Sequence, residues 1–163
     1  MDTIYFAEWK SPIGILTLES DGQSLTRIRL PEEGYECDPK VARERKPALF
    51  RDAAVQLKEY FAGARTTFDL PLNPAGTVFQ HKVWNELVKI PHGETISYTE
   101  LAERVGRPGS HRAVGAANGR NPLPIVIPCH RVIGKSGKLT GYAGGLEAKQ
   151  KLLELEGALE TAG

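Results

Sequence analysis

The first thirty residues alternate between apolar and polar positions. Residues 3–9, 15–18 and 25–30 are short runs rich in β-branched, aromatic and alternating side chains, separated by Ser11-Pro12, Gly14 and Asp21-Gly22. Runs of this kind with a hairpin signal between them predict three antiparallel strands. The stretch from Pro31 to Lys46 is polar and charged and reads as a loop. The rhythm then lengthens. Leu49, Phe50, Ala53, Ala54, Leu57, Tyr60 and Phe61 recur at helical spacing behind Pro47, a residue well tolerated in a first helical turn. Gly63 stops this helix, and a short strand is expected near Thr66 to Leu70.

Residues 71–76 hold two prolines and a glycine and predict a linker, dividing the chain into a β-rich domain at 1–75 and a second domain at 76–163. Thr77 is placed to cap a helix carrying Phe79, Val83, Leu87 and Ile90 on one face, ended by Pro91 to Gly93. A helix from Thr99 to Gly106, a turn at Arg107 to Gly109, and a helix from His111 to Asn118 headed by Ser110 follow. Helix, glycine-containing turn, helix is the helix-turn-helix pattern, which many packed helix pairs also show. A last helix spans Leu146 to Glu156. The fold class is therefore α/β (α+β): an antiparallel sheet with a helix, then a mostly helical, winged-helix-like domain with a helix-turn-helix.

With 163 residues the chain can bury a core, and it has no apolar run near the roughly 20 residues of a membrane span. Its start lacks a signal-peptide pattern. Two cysteines, Cys37 and Cys129, make neither a disulfide framework nor a metal cage, and a reducing, cytoplasmic setting is expected. The net charge of +1 hides an asymmetry. Residues 98–138 carry seven Lys/Arg against two Asp/Glu, a local field suited to a phosphate backbone, although charge runs are mostly solvated faces.

The candidate chemistry sits in residues 121–132. The apolar run Leu123 to Ile127 is broken by Pro124 and stopped by Pro128, so Cys129 falls on a rigid turn at the end of a buried segment, beside His130 and Arg131. A thiol is nucleophilic as thiolate, and a cationic or proton-accepting neighbour raises that fraction. On these local features a buried core cysteine is an equally ordinary reading. The later loop at 140–145 lacks the context and lysine of a P-loop and is read as the wall of a ligand pocket.

Joined together, residues 119–132 (with Asn121-Pro122 and Pro128 to Arg131), Phe79-Gln80, Val83-Trp84, Ile96 to Tyr98, Arg112 to Gly115 and Gly141 to Leu146 resemble the O6-alkylguanine-DNA alkyltransferase family. The resemblance is strong over 76–157; the first half fits the family's variable β domain without identifying it. It implies DNA repair by irreversible, single-turnover transfer of an alkyl group from guanine in duplex DNA to Cys129. The proton of Cys129 would pass to His130 through a water, with Glu156 orienting the imidazole and Asn121 bracing the turn. Tyr98 would hydrogen-bond the leaving base, and the carbonyls of Cys129 and Val132 would read its amino group. Tyr142, Ala143 and Gly144 would wall the pocket. Arg112 would replace the extruded base, and Ala113, Ala116 and Ala117 would let the helix approach the minor groove.

No cofactor is implied. The first half offers Cys37 and no histidine, so no structural zinc is expected. Partners reduce to duplex DNA, with no membrane; a monomer is expected, with clustering on DNA left open. Ala143 stands where some relatives have serine, which leaves the alkyl preference open, and His111 stands where a small residue is common. Two rivals remain at this point: a lesion-sensing binding protein of the alkyltransferase-like type, which lacks the cysteine, and a cysteine hydrolase, which would turn over.

Overall fold

A computed structural model describes residues 3–31, 33, 38–134, 137, 139, 141–142 and 144–159. Backbone contacts divide the chain into two compact units, Met1–Ala75 and Gly76–Gly163.

In the first unit, β1 (Ile4–Ser11), β2 (Gly14–Ser20) and β3 (Leu25–Arg29) form the antiparallel sheet that the alternation predicts. Ala7, Leu18 and Ile28 lie in one cross-strand row and are buried. Leu57 and Tyr60 of α1 (Arg51–Phe61) are buried too, and Phe61 stacks on Trp9 of β1 with ring centroids 5.9 Å apart. The neighbouring row is polar. There the nearly buried Glu19 carboxylate accepts from Arg29 at 3.0 Å and Arg43 at 3.1 Å.

Two expectations fail here. The segment read as loop contains β4 (Arg43–Arg45), which pairs parallel with Ile4 to Phe6, giving the sheet order β3-β2-β1-β4. Three charged residues carry no apolar alternation; what holds this edge strand is ion pairing of Arg43 to Glu19 and of Arg45 to Glu8. Conversely, Thr66 to Leu70 forms no strand. Its Asp69 backbone donates to Gln56 Oε1 at 2.8 Å and accepts from Gln56 Nε2 at 2.9 Å, so one helix side chain does what a neighbouring strand would do. Pro47 opens a 3-10 turn (Pro47–Phe50) rather than α1 itself.

In the second unit, α2 (Val78–Leu87) starts at a capping box: Thr77 Oγ1 accepts from the Gln80 backbone at 3.1 Å, and Gln80 Oε1 accepts from the Thr77 backbone at 2.9 Å. The helix ends at Leu87, earlier than Pro91, and Ile90 buries itself in the following turn. Next come β5 (Ile96–Ser97), α3 (Tyr98–Arg104) and α4 (His111–Gly119). The α3–α4 turn passes through Gly106 at φ 78° and Gly109 at φ 87°, conformations that favour glycine. Ser110 precedes α4 without a side-chain capping bond. A fully buried stretch leads from Asn121 into a 3-10 turn, Cys129–Arg131, then β6 (Val132–Ile133), which pairs parallel with β5. The last helix is α5 (Leu146–Leu155). No described helix is long and apolar enough to cross a membrane.

Candidate active site

The route to Cys129 is a strained, tightly bonded turn. Asn121 Nδ2 donates to the Ile127 carbonyl at 2.8 Å, and Asn121 Oδ1 accepts from the Leu123 N–H at 3.0 Å. Between these two bonds Ile125, with its side chain buried, stands at φ 76°. A β-branched residue in the left-handed region costs about 1–3 kcal/mol and persists only where its surroundings hold it. The Asn121 side chain is that holding group.

Cys129 is free and buried. Burial pushes its thiol pKa up to about 11, while hydrogen bonding from Asn121, the Lys149 charge and Tyr142 pull the other way. At pH 7 forming the thiolate then costs roughly 5 kcal/mol. A base is needed, and the next residue supplies one. His130 is fully buried, with Nε2 2.7 Å from Glu156 Oε2 at the C-terminal end of α5. The carboxylate fixes the tautomer: Nε2 carries the proton, and Nδ1 is left as an acceptor with no hydrogen-bond partner among the described residues. Burial depresses the His130 pKa, against the raising effect of Glu156, so the resting imidazole is a neutral base.

Three residues that carried no assigned role in the sequence also converge here. Arg131 grips Glu156 with two nitrogens, Nε to Oε1 at 2.8 Å and Nη2 to Oε2 at 3.0 Å, and donates from Nη1 to the Ile90 carbonyl at 2.6 Å. Lys149, fully buried on α5, donates to the Val132 carbonyl at 2.7 Å, and burial lowers its pKa to about 8. Asn118, buried at the end of α4, donates from Nδ2 to the Cys129 carbonyl at 3.3 Å. Lys149 was legible in principle, as a lysine on the apolar side of a helix with Leu152 and Leu153. Asn118 was not, because helical spacing does not say which loop lies opposite.

On α4, Arg112, Ala113 and Ala116 are exposed while Val114 and Ala117 are buried. Ala117, expected among the DNA-facing small residues, turns inward, and its carbonyl accepts from Trp84 Nε1 at 2.9 Å. A helix offers one stripe to a groove, and 117 lies on the core side with 114. Tyr98 is half-buried at the start of α3, beside Gly115, where an added Cβ would stand 3.5 Å from its ring. Val132 and Gly144 are buried and Tyr142 is half-buried. Cys37 and Ala143 lie outside the described residues. Among the described residues no group of three His, Cys, Asp or Glu side chains is disposed to hold a metal.

Residues 4–74 match the family model for the ribonuclease-like domain of 6-O-methylguanine DNA methyltransferase, and residues 78–158 match the model for its DNA-binding domain. A methylated-DNA–protein-cysteine methyltransferase of Mycobacterium tuberculosis is 52% identical over 94% of this chain and 92% of its own length. One of Methanosarcina acetivorans is 46% identical over 95% and 99%. The crystal structure of Mycobacterium tuberculosis OGT in complex with DNA superposes with a TM-score of 0.86 at 49% identity, covering 96% of this chain and 93% of that one.

Proposed function

The chain belongs to the 6-O-methylguanine DNA methyltransferase family, and from that membership we propose that it repairs duplex DNA by moving the alkyl group of an O6-alkylguanine irreversibly onto Cys129. The observation that carries the reading is the buried His130–Glu156 contact of 2.7 Å directly after a buried cysteine, which leaves an unprotonated imidazole nitrogen as the base. His130 takes the thiol proton through a water. The sulfur then bonds the alkyl carbon as the carbon–oxygen bond breaks, and the guanine leaves with the electron pair and regains a proton. Tyr98 hydrogen-bonds the leaving base, and Asn121 keeps the turn in place.

The target oxygen lies inside a stacked pair, so the nucleotide is flipped out at an unstacking cost of a few kcal/mol. Exposed Arg112 on α4 fills the gap, with Ala113 and Ala116 against the minor groove; Tyr142, Ala143 and Gly144 wall the pocket. The thioether is not reversed, so each molecule acts once, as a monomer in a reducing cytoplasm, with no cofactor. The presence of Cys129 disfavours the lesion-sensing alternative.

The test is intact mass after incubation with duplex DNA containing O6-methylguanine. One added methyl group mapped to Cys129, absent in Cys129→Ser, is expected. DNA binding with no gain in mass would return the chain to lesion sensing, and repeated turnover would point to a hydrolase.

A further inference from the structure

The geometry points to Asn118 as the residue that selects a 2-aminopurine lesion over an alkylated thymine, an inference resting on the alkyl-transfer reading above. The two carbonyls beside the nucleophile are already engaged. The Cys129 carbonyl accepts from the Val132 N–H within the 3-10 turn and from Asn118 Nδ2 at 3.3 Å. The Val132 carbonyl accepts from the buried Lys149 ammonium at 2.7 Å. A carbonyl oxygen has two lone pairs, so that of Cys129 has none to spare.

The acceptor that remains is Asn118 Oδ1. Asn118 is only 4% exposed, and this oxygen is buried with no hydrogen-bond partner among the described residues. Its orientation is fixed by chemistry: turning the amide over would set Oδ1 against the Cys129 carbonyl, oxygen to oxygen. A buried acceptor left without a donor is costly, and proteins keep such groups for a ligand that completes them.

The substrate class follows from which lesions carry a donor. Alkylation at O6 removes the N1 proton of guanine, leaving the exocyclic 2-amino group as the donor on its pairing edge. Alkylation at O4 removes the N3 proton of thymine and leaves no donor on that edge. Asn118 Oδ1 therefore accepts from the 2-amino group, while Asn118 Nδ2 holds the nucleophile's own carbonyl. One side chain ties recognition of the base to the position of the sulfur.

The experiment measures single-turnover methyl transfer to the full chain from three duplexes, bearing O6-methylguanine, O6-methylhypoxanthine (the same base without the amino group) and O4-methylthymine. The wild-type chain is expected to react about tenfold or more faster with O6-methylguanine than with either other base, the effect of one lost hydrogen bond in a site built for it. Asn118→Leu is expected to lose most of that rate on O6-methylguanine and to change less than twofold on the other two, so the ratio collapses toward one. Asn118→Ala, checked for an unchanged thermal midpoint, repeats the comparison without added bulk.

A wild-type chain indifferent to the amino group overturns the inference. So does an equal loss on all three substrates, which would make Asn118 a mere brace for the Cys129 carbonyl. Absence of methyl transfer from every duplex is a different result, and overturns the alkyl-transfer reading itself.

Discussion

His130 Nε2 and Glu156 Oε2 stand 2.7 Å apart with both side chains fully shielded from solvent. Glu156→Gln keeps the volume of the side chain but lets the amide donate to the ring, favouring the tautomer whose Nδ1 is protonated and no longer a base. The single-turnover rate is expected to fall by about 100-fold or more, within the range of general-base contributions. Arg131 would also lose the carboxylate it grips, so the urea midpoint should fall as well. An unchanged rate in a folded variant removes His130 as the base.

The pH dependence has a definite sign. His130 has a depressed pKa in the folded chain, so its contribution to stability is full above the unfolded value of 6.5 and is lost as pH falls below it toward the folded value. Methyl transfer should likewise hold level through pH 6.5 and decline only in more acid buffer. A midpoint at or above 6.5 in the rate profile contradicts this.

Cys129 behaves oppositely. Its folded pKa of about 11 exceeds the ordinary 9.0, so its contribution is full below pH 9 and is lost as pH rises to 11, by roughly 2–3 kcal/mol. Lys149, lowered from 10.5 to about 8, makes stability rise with pH between those values. Urea titrations of wild type and Cys129→Ser from pH 8 to 11 separate the two: the variant should retain the rise and lose the fall.

Asn121→Ala removes both bonds that bracket Ile125 at φ 76°. We expect a loss of about 2–4 kcal/mol by urea unfolding, from two buried hydrogen bonds and the backbone strain no longer held. Methyl transfer should drop too, because Cys129 follows directly on this turn. A stable Asn121→Ala with normal transfer contradicts the bracing role.

Gly76→Ala tests packing at the entry to α2. An added Cβ would stand 2.4 Å from the Trp84 ring, which is itself fixed by its bond to the Ala117 carbonyl. A ring so placed cannot yield easily, and destabilisation of about 1–3 kcal/mol is expected by thermal or urea unfolding. No change would mean that residue 76 moves freely.

Much of the fold was legible because the patterns were local. The β1–β2–β3 alternation, the Thr77 cap and the glycine turn between α3 and α4 each declare themselves within a few residues. What was missed depends on distant partners. β4 is a strand because Glu19 and Glu8 await its arginines, and Thr66 to Leu70 is not one because Gln56 satisfies its backbone. The site divides in the same way. Cys129, His130 and Glu156 were readable through the motif, whereas Asn118 and Lys149 gain meaning only from the carbonyls that the fold sets in front of them.

The bond from Asn118 to the Cys129 carbonyl spans eleven positions of sequence and fastens the end of α4 to the reactive residue. Trp84 clamps the same helix end from the other side through Ala117. The helix bearing Arg112 and the sulfur thus form one gauge, its reach set by residues 119–121 and the buried turn after them. Inserting or deleting a single residue there would leave both ends intact yet miscalibrate the distance between them. In this segment length is under a tighter constraint than composition.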